Sequence, residues 1–415
     1  MRNMNILVTF PIGLTKNKKV VTGGISRQIK DFYGYVAKEP DTHMYGLVIR
    51  FKPGLSATFN KRAVKKTAPL GFQYYYIQGD STKLYNSIKK IDSLEDISVS
   101  RLSEAIIKRI IEIIERDKVE VVLINGMPSW HVWFVREAAR RVGIPLVMVH
   151  AGVMNREVHM YRNVIDKKIA QIYSWIEKDY CGGDIWNIFL NETTRDFLRE
   201  NVFGRKEFHG KVIYLPLAEA YTRVKAKVNS TSEQKASIKV GTVGRWDRIK
   251  NHPAILKLAE YAQAHSLPIK YYSVTMIPNT QINFKMKEKY RKVVNVFGQM
   301  SSSELIKYYK ELDLLIMPSF FDVSPNTVLE SMIVGTPALI SPNVGHVEWY
   351  RKTGISKWII DFKNIKQTTD MIIEVANQNV PKEVTAWIKK NHRANKAFKE
   401  YLSVAKEAIA EYSKK

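Results

Sequence analysis

Short apolar runs bounded by turn formers alternate along this chain with longer stretches of helical periodicity, and no other feature restricts its fold as much. Strand candidates fall at 5–10, 46–51, 74–78, 119–125, 145–150, 212–215, 238–243, 269–274, 293–297, 314–317 and 337–341. Helical patterns lie between several of them, at 25–38, 103–117, 130–142, 253–264 and 303–311. Strand, helix and strand in repeated order require parallel sheets with helices on both faces. A polar, Ser-rich segment interrupts the alternation at 219–237. It divides the chain into a first doubly wound domain, 1–218, and a second, 238–380, followed by a helical tail, 381–415, in which Val384, Trp387 and Ile388 supply apolar packing positions. The expected fold class is α/β, two Rossmann-like domains facing across a cleft, with ligands at the carboxyl ends of the strands.

Charge narrows the ligand. Sixty-five Lys and Arg against 40 Asp and Glu leave a formal net charge of +25, which favours anionic partners such as phosphorylated small molecules, phospholipid or nucleic acid. A lone cysteine, Cys181, has no partner for an internal disulfide and fits a reducing compartment. No apolar run reaches the roughly 18 residues of a membrane span, so the expected location is cytoplasmic, with any membrane contact peripheral. The opening MRNMNILVTF reads as a first strand rather than a signal peptide.

Two segments carry candidate chemistry. In KVGTVGRWDRIKNHPAILKLAEYA, a strand runs through a turn with Gly241 and Gly244 into a helix with Pro253 in its first turn and Asn251 or His252 as cap. Arg245 and Lys250 project from the intervening loop, an Arg fork and a Lys point charge suited to a diphosphate; solvated loop charges are the competing reading. In LLIMPSFFDVSPNTVLESMIVGTPALIS, Ser324 is the expected cap and Pro325 the expected first helical residue. The amides of Asn326 and Thr327 then lie at a positive helix end, with Asp322 in the preceding loop and Glu330 one turn onward.

With GGISRQI near the start, HAG after the fifth strand candidate, VGRWDRIKNH, and DVSPNTVLESMIVGTP, in which seven residues separate two acids, the chain resembles the retaining nucleotide-sugar-dependent transferases of glycosyltransferase family 4, which have the GT-B fold. The resemblance runs from about residue 5 to about residue 348 and is more specific in the second half. It implies that Arg245 and Lys250 hold the donor diphosphate; Gly244, Ser324, Asn326 and Thr327 complete the expected donor-binding set. It also implies that Glu330 contacts the donor ribose and that Asp322 faces the donor sugar. Asp322 stands where the family usually has Glu, a reach shorter by one C–C bond, ~1.5 Å. His150, at the end of PLVMVH, is implied to lie near the donor sugar, and the loop with Gly23 and Gly24 to lie against the donor phosphates and the acceptor.

The expected activity is therefore transfer of a sugar from a nucleoside diphosphate to a glycan, lipid-linked or small-molecule acceptor, with anomeric configuration retained. His150, Asp322, Arg245 and Lys250 are the expected catalytic group. No Asp-x-Asp pair and no Cys/His cluster demand a metal, and the dinucleotide fingerprint is absent. Between residues 51 and 70 the basic residues Lys61, Arg62, Lys65 and Lys66, read as a helix over 60–67, form either a solvated loop or a patch for acceptor or anionic headgroups. Two alternatives remain: a sugar-nucleotide epimerase on the same scaffold, and a degenerate anion or nucleic-acid binder. The second is disfavoured because the basic runs lack interleaved stacking aromatics.

Overall fold

The computed structural model describes residues 4–9, 13–14, 20–21, 24–52, 64–66, 73–80, 86, 92–93, 96 and 101–414, apart from 127, 129, 161–166, 180–184, 205–206, 229–235 and 279–283. It divides into two α/β units, unit 1 being 1–214 with 395–415 and unit 2 being 215–394. The division falls at 214/215, not at 218/219. Residues 219–222 form a short helix whose Tyr221 is buried in the unit 2 core, so this part of the polar segment is packed. The tail also divides. Val384 and Ile388 are buried in unit 2, whereas 395–415 belong to unit 1. There Phe398 and Tyr401 pack on Phe32 at 5.3 and 5.8 Å, and Gln28 donates to the Tyr401 hydroxyl at 3.0 Å.

Unit 1 holds eight described strands in one sheet, in the order His209–Val212, Ile185–Phe189, Leu146–His150, Val121–Gly126, Met4–Thr9, Thr42–Lys52, Tyr74–Asp80 and Val64–Lys66. All neighbours are parallel except the last pair. Val121–Gly126 and Leu146–His150 are buried at every position, as expected of strands covered on both faces. The helix Arg101–Arg116 buries Ile106, Ile107, Ile110, Ile113 and Ile114, a stripe at helical spacing. Three expectations change here. Residues 64–66 are a strand rather than part of a helix over 60–67, because they pair antiparallel with Tyr74–Tyr76. The 212–215 candidate is replaced by His209–Val212, and the strand Ile185–Phe189, interrupted in its apolar run by Asn187, was not anticipated.

Unit 2 has five described strands, all parallel, in the order Val294–Phe297, Ile269–Val274, Ile238–Val243, Leu314–Met317 and Ala338–Ile340. The helix Ser302–Glu311 begins with a capping box: Ser301 Oγ accepts from the Glu304 amide at 3.3 Å, and the Glu304 carboxylate accepts from the Ser301 amide at 2.7 Å. The helix end presses on the central strand. A Cβ on Gly241 would overlap Leu312 Cδ1 and stand 2.8 Å from the Tyr308 hydroxyl, so a larger residue forces these two buried side chains to shift.

Both sheets wind outward from a central strand and then reverse. In unit 2 the reversal separates the carboxyl ends of Ile238–Val243 and Leu314–Met317, and in unit 1 those of Met4–Thr9 and Val121–Gly126. Such points are where open α/β sheets leave a crevice for ligands.

Candidate functional site

At the reversal of unit 2, the loop after Val243 is fixed from within. The Gly244 amide donates to Val274 O at 3.1 Å, and the Lys250 stem lies against Gly244, 3.4 Å from where a Cβ would stand. Asp247 accepts from the Ile249 amide at 3.0 Å and starts a single 3-10 turn, Arg248–Lys250. Asn251 then adopts the left-handed conformation, φ 53°, and caps the helix His252–Ala264 through its backbone alone. His252 starts that helix, stacks on Trp246 at 4.3 Å, and its Nε2–H donates to the Arg245 carbonyl at 2.9 Å. Burial pushes the His252 imidazole down to about 4, so it is neutral at physiological pH.

Three contacts join this loop to the segment after Met317. The Asn251 side-chain amide donates to Pro318 O at 3.0 Å, the Phe320 amide donates to Ile249 O at 2.8 Å, and Lys250 Nζ forms an ion pair with the Asp322 carboxylate. Both charged side chains are 18% exposed, shielded enough for the attraction to exceed that of a surface pair. Arg245 extends beyond the pair. Its guanidinium is 78% exposed and 3.7 Å from Asp247. The Gly244–Lys250 loop and the Asp322 segment are thus joined, and Lys250 is engaged by a carboxylate rather than projecting alone.

The helix begins one residue later than expected. It spans Asn326–Ile333, with Pro325 as the cap in extended conformation and no capping side chain. The first amides, at Asn326 and Thr327, therefore lack the side-chain acceptor that usually closes a helix start. Ser324 Oγ and Thr327 Oγ1 beside them are buried without a hydrogen-bond partner. Glu330 departs from the expectation of a carboxylate presented to a ribose: it is 1% exposed, and the Tyr309 hydroxyl donates to it at 3.0 Å. The apolar surroundings that make a helical Glu conspicuous also bury it.

Behind this turn lies a loop that pattern reading missed. The Asp322 amide donates to Asn343 O at 3.4 Å, the Gly345 amide donates to Asp322 O at 2.8 Å, and His346 Nε2 donates to Pro325 O at 3.1 Å. The turn-forming Asn-Val-Gly after the strand Ala338–Ile340 was the available signal.

In unit 1, His150 ends the strand Leu146–His150 as expected, but its ring is fully buried, stacked on Phe189 at 5.0 Å. The Asn187 amide donates to Ile185 O and His209 O, both at 3.2 Å, which turns its Oδ1 toward His150 Nε2 at 2.8 Å. His150 therefore carries its proton on Nε2, and Nδ1 is a buried acceptor without a partner. Burial pushes its pKa down to about 4. Gly24 opens the helix Gly24–Val36. Lys65 and Lys66 lie in the strand Val64–Lys66, while Gly23, Lys61, Arg62 and Cys181 lie outside the described residues. Among the described residues no group of three or more His, Cys, Asp or Glu gathers as a metal set, and no helix is long and apolar enough to cross a membrane.

Residues 225–397 match the family model for glycosyl transferases group 1. A curated relative, an uncharacterized 41.2 kDa protein in the cps region of Klebsiella pneumoniae, is 25% identical over 166 residues. That match covers 39% of this chain and 44% of the relative, less than half of either. Among solved structures, the E. coli trehalose-6-phosphate structure bound with UDP-2-fluoro glucose superposes with a TM-score of 0.66 at 11% identity, covering 97% of this chain and 99% of that one. The α,α-trehalose 6-phosphate synthase of Burkholderia multivorans gives 0.65 at 10% identity over 100% and 98%. Sucrose-phosphate synthase of Thermosynechococcus elongatus gives 0.61 at 14% identity over 99% of both chains. At these identities the likeness is one of fold, two Rossmann-like α/β units of the GT-B class.

Proposed function

We propose that the chain is a retaining glycosyltransferase of the family 4 kind, and that unit 2 binds its nucleoside-diphosphate-sugar donor. The observation that carries this reading is the joining of the Gly244–Asn251 loop to the Pro318–Asp322 segment at the sheet reversal, beside a helix start with no capping side chain. The group 1 match over 225–397 spans all of these residues, and the fold likeness to a structure bound with UDP-2-fluoro glucose supports a donor of that chemistry.

In this reading, Lys250 and Arg245 face the donor diphosphate, and the Asn326 and Thr327 amides add dipoles from the helix start. The hydroxyls of Ser324 and Thr327 gain phosphate oxygens as partners. Lys250 is held in place at rest by Asp322, and an arriving diphosphate competes for its ammonium, leaving Asp322 to accept a hydroxyl of the donor sugar. Glu330 acts from behind, fixing the helix through Tyr309. As the bond from the anomeric carbon to the diphosphate oxygen breaks, negative charge grows on that oxygen, and donors already aimed there lower the barrier. A bond to the acceptor oxygen forms on the same face, and the acceptor's proton leaves with the diphosphate. His150 of unit 1, neutral and fully buried against Phe189, sets its strand end through the bond to Asn187; it does not supply a proton.

A thermal-shift screen over uridine, guanosine, adenosine and thymidine diphosphates and their glucose or mannose derivatives tests the donor site, since a ligand specific to the folded form raises the melting point. At least one diphosphate is expected to do so in wild type and not in the Arg245→Ala, Lys250→Ala double variant. Equal shifts in both proteins would overturn the assignment. Anomeric analysis of the product by NMR decides retention.

A further inference from the structure

We propose that His346 is a positioning residue for the donor site, setting the direction of the Asn326–Ile333 helix start through its hydrogen bond to the Pro325 carbonyl. The inference rests on the donor-site reading above and adds a residue to it. Pro325 has no N–H and the helix has no capping side chain, so its entry turn is fixed by bonds from elsewhere. The loop 343–346 provides them: Asn343 O and the Gly345 amide grip the two backbone groups of Asp322, and His346 Nε2, 3.1 Å from Pro325 O, grips the other end of the turn. Three residues of one short loop thereby hold both ends of the stretch that carries the Asp322 carboxylate and the Ser324 hydroxyl.

The ring suits this work. It is 2% exposed and lies 5.4 Å from Trp349 and 6.2 Å from His392, centroid to centroid, within a packed aromatic cluster. Burial pushes its pKa down to about 4, so at physiological pH it is a neutral, single-proton donor. A small rotation of the turn would re-aim the amides of Asn326 and Thr327 away from a bound phosphate, and displacements below 1 Å are enough to weaken such sites.

The test compares His346→Leu, which fills the space without an N–H, with His346→Gln, whose amide restores a donor. Isothermal titration with uridine, guanosine and adenosine diphosphates, well below every variant's melting point, gives the affinity. Hydrogen–deuterium exchange of unliganded protein over 324–330 gives the local order. His346→Leu is expected to lose about tenfold or more in affinity for the tightest diphosphate, with faster exchange at 326–328. His346→Gln is expected to stay within about threefold, with exchange near wild type. Unchanged affinity in His346→Leu, or equal loss in both variants, would overturn the proposal. If wild type binds none of the three, the donor-site reading fails. The exchange data then decide the positioning role alone, and unchanged protection at 326–328 ends it.

Discussion

At the sheet reversal of unit 2 the strand ends open into charged loops, with Lys250 paired to Asp322, Arg245 exposed beyond them and an uncapped helix start alongside. At the corresponding reversal of unit 1 the strand ends carry neutral polar groups, Thr9 and Asn125, and the next strand ends at His150, all at most 4% exposed. One winding plan thus supports two kinds of strand end. Charged groups at a loop can follow a diphosphate and compensate its charge, whereas buried neutral acceptors recognise hydroxyls and pay no charge-burial cost. Under the proposed function the contrast places anion binding in unit 2 and leaves unit 1 with neutral polar groups at its strand ends.

The strongest way to break this division is to measure both ends of it. Lys250→Ala is expected to slow sugar transfer on the order of 10²–10³-fold, the scale of losing one oxyanion donor, and to weaken diphosphate binding. His150→Ala is expected to cost about tenfold in transfer, the scale of one neutral hydrogen bond, with diphosphate affinity unchanged. Release of nucleoside diphosphate and titration with it give the two numbers, and a matching loss of affinity in both variants would erase the distinction.

A stability effect sharpens it next. Gly241→Ala forces a methyl into Leu312 and Tyr308 and is expected to cost unit 2 about 1–3 kcal/mol. Calorimetry should show the unit 2 transition moving down while that of unit 1 stays. A common shift would mean that the units melt as one.

The smallest effect is in pH dependence. In unit 2, burial depresses His252 and His346 to about 4 and His392 to about 3, so their contribution is complete above the ordinary histidine value of 6.5 and is lost as pH falls toward 4. Unit 1 has His150, also depressed to about 4, but opposes it with Glu177. Burial raises that carboxyl to about 7 against the Met154 and Asn155 donors that favour its charged form. A raised Glu stabilises most below its ordinary 4.5 and loses that contribution as pH rises through 7. Acidification from pH 7 to pH 5 should therefore lower the melting point of unit 2 more than that of unit 1. Glu177→Gln should bring the unit 1 slope closer to that of unit 2. Parallel slopes in wild type would remove the asymmetry.

The central strands Ile238–Val243, Ile269–Val274 and Leu314–Met317 were legible to the residue because each is a short run rich in apolar residues, broken near its start at most by one lysine, between turn formers. Ile185–Phe189 was not, since Asn187 sits at its centre, and that side chain is satisfied by the Ile185 carbonyl together with two distant partners, His150 and the His209 carbonyl. The charges at Arg245, Lys250 and Asp322 were legible as residues. The pairing of two of them was not, because it depends on Asn251 and Phe320 drawing together loops about 70 positions apart. Glu330 looked exposed through its charge, yet a single Tyr309 hydroxyl helps to hold it inside. Local pattern marks strands and caps; it is silent on which polar group finds which partner across the sheet.

The chain passes from unit 1 to unit 2 at 214/215 and returns at 394/395. Unit 1 is therefore built from two stretches of chain, and its helix Gly24–Val36 takes Phe398 and Tyr401 as neighbours from the stretch that follows unit 2. Phe32 stays uncovered on that side until residues beyond unit 2 have been made. Ending the chain at residue 394 would strip Phe32 of both rings while removing nothing from unit 2.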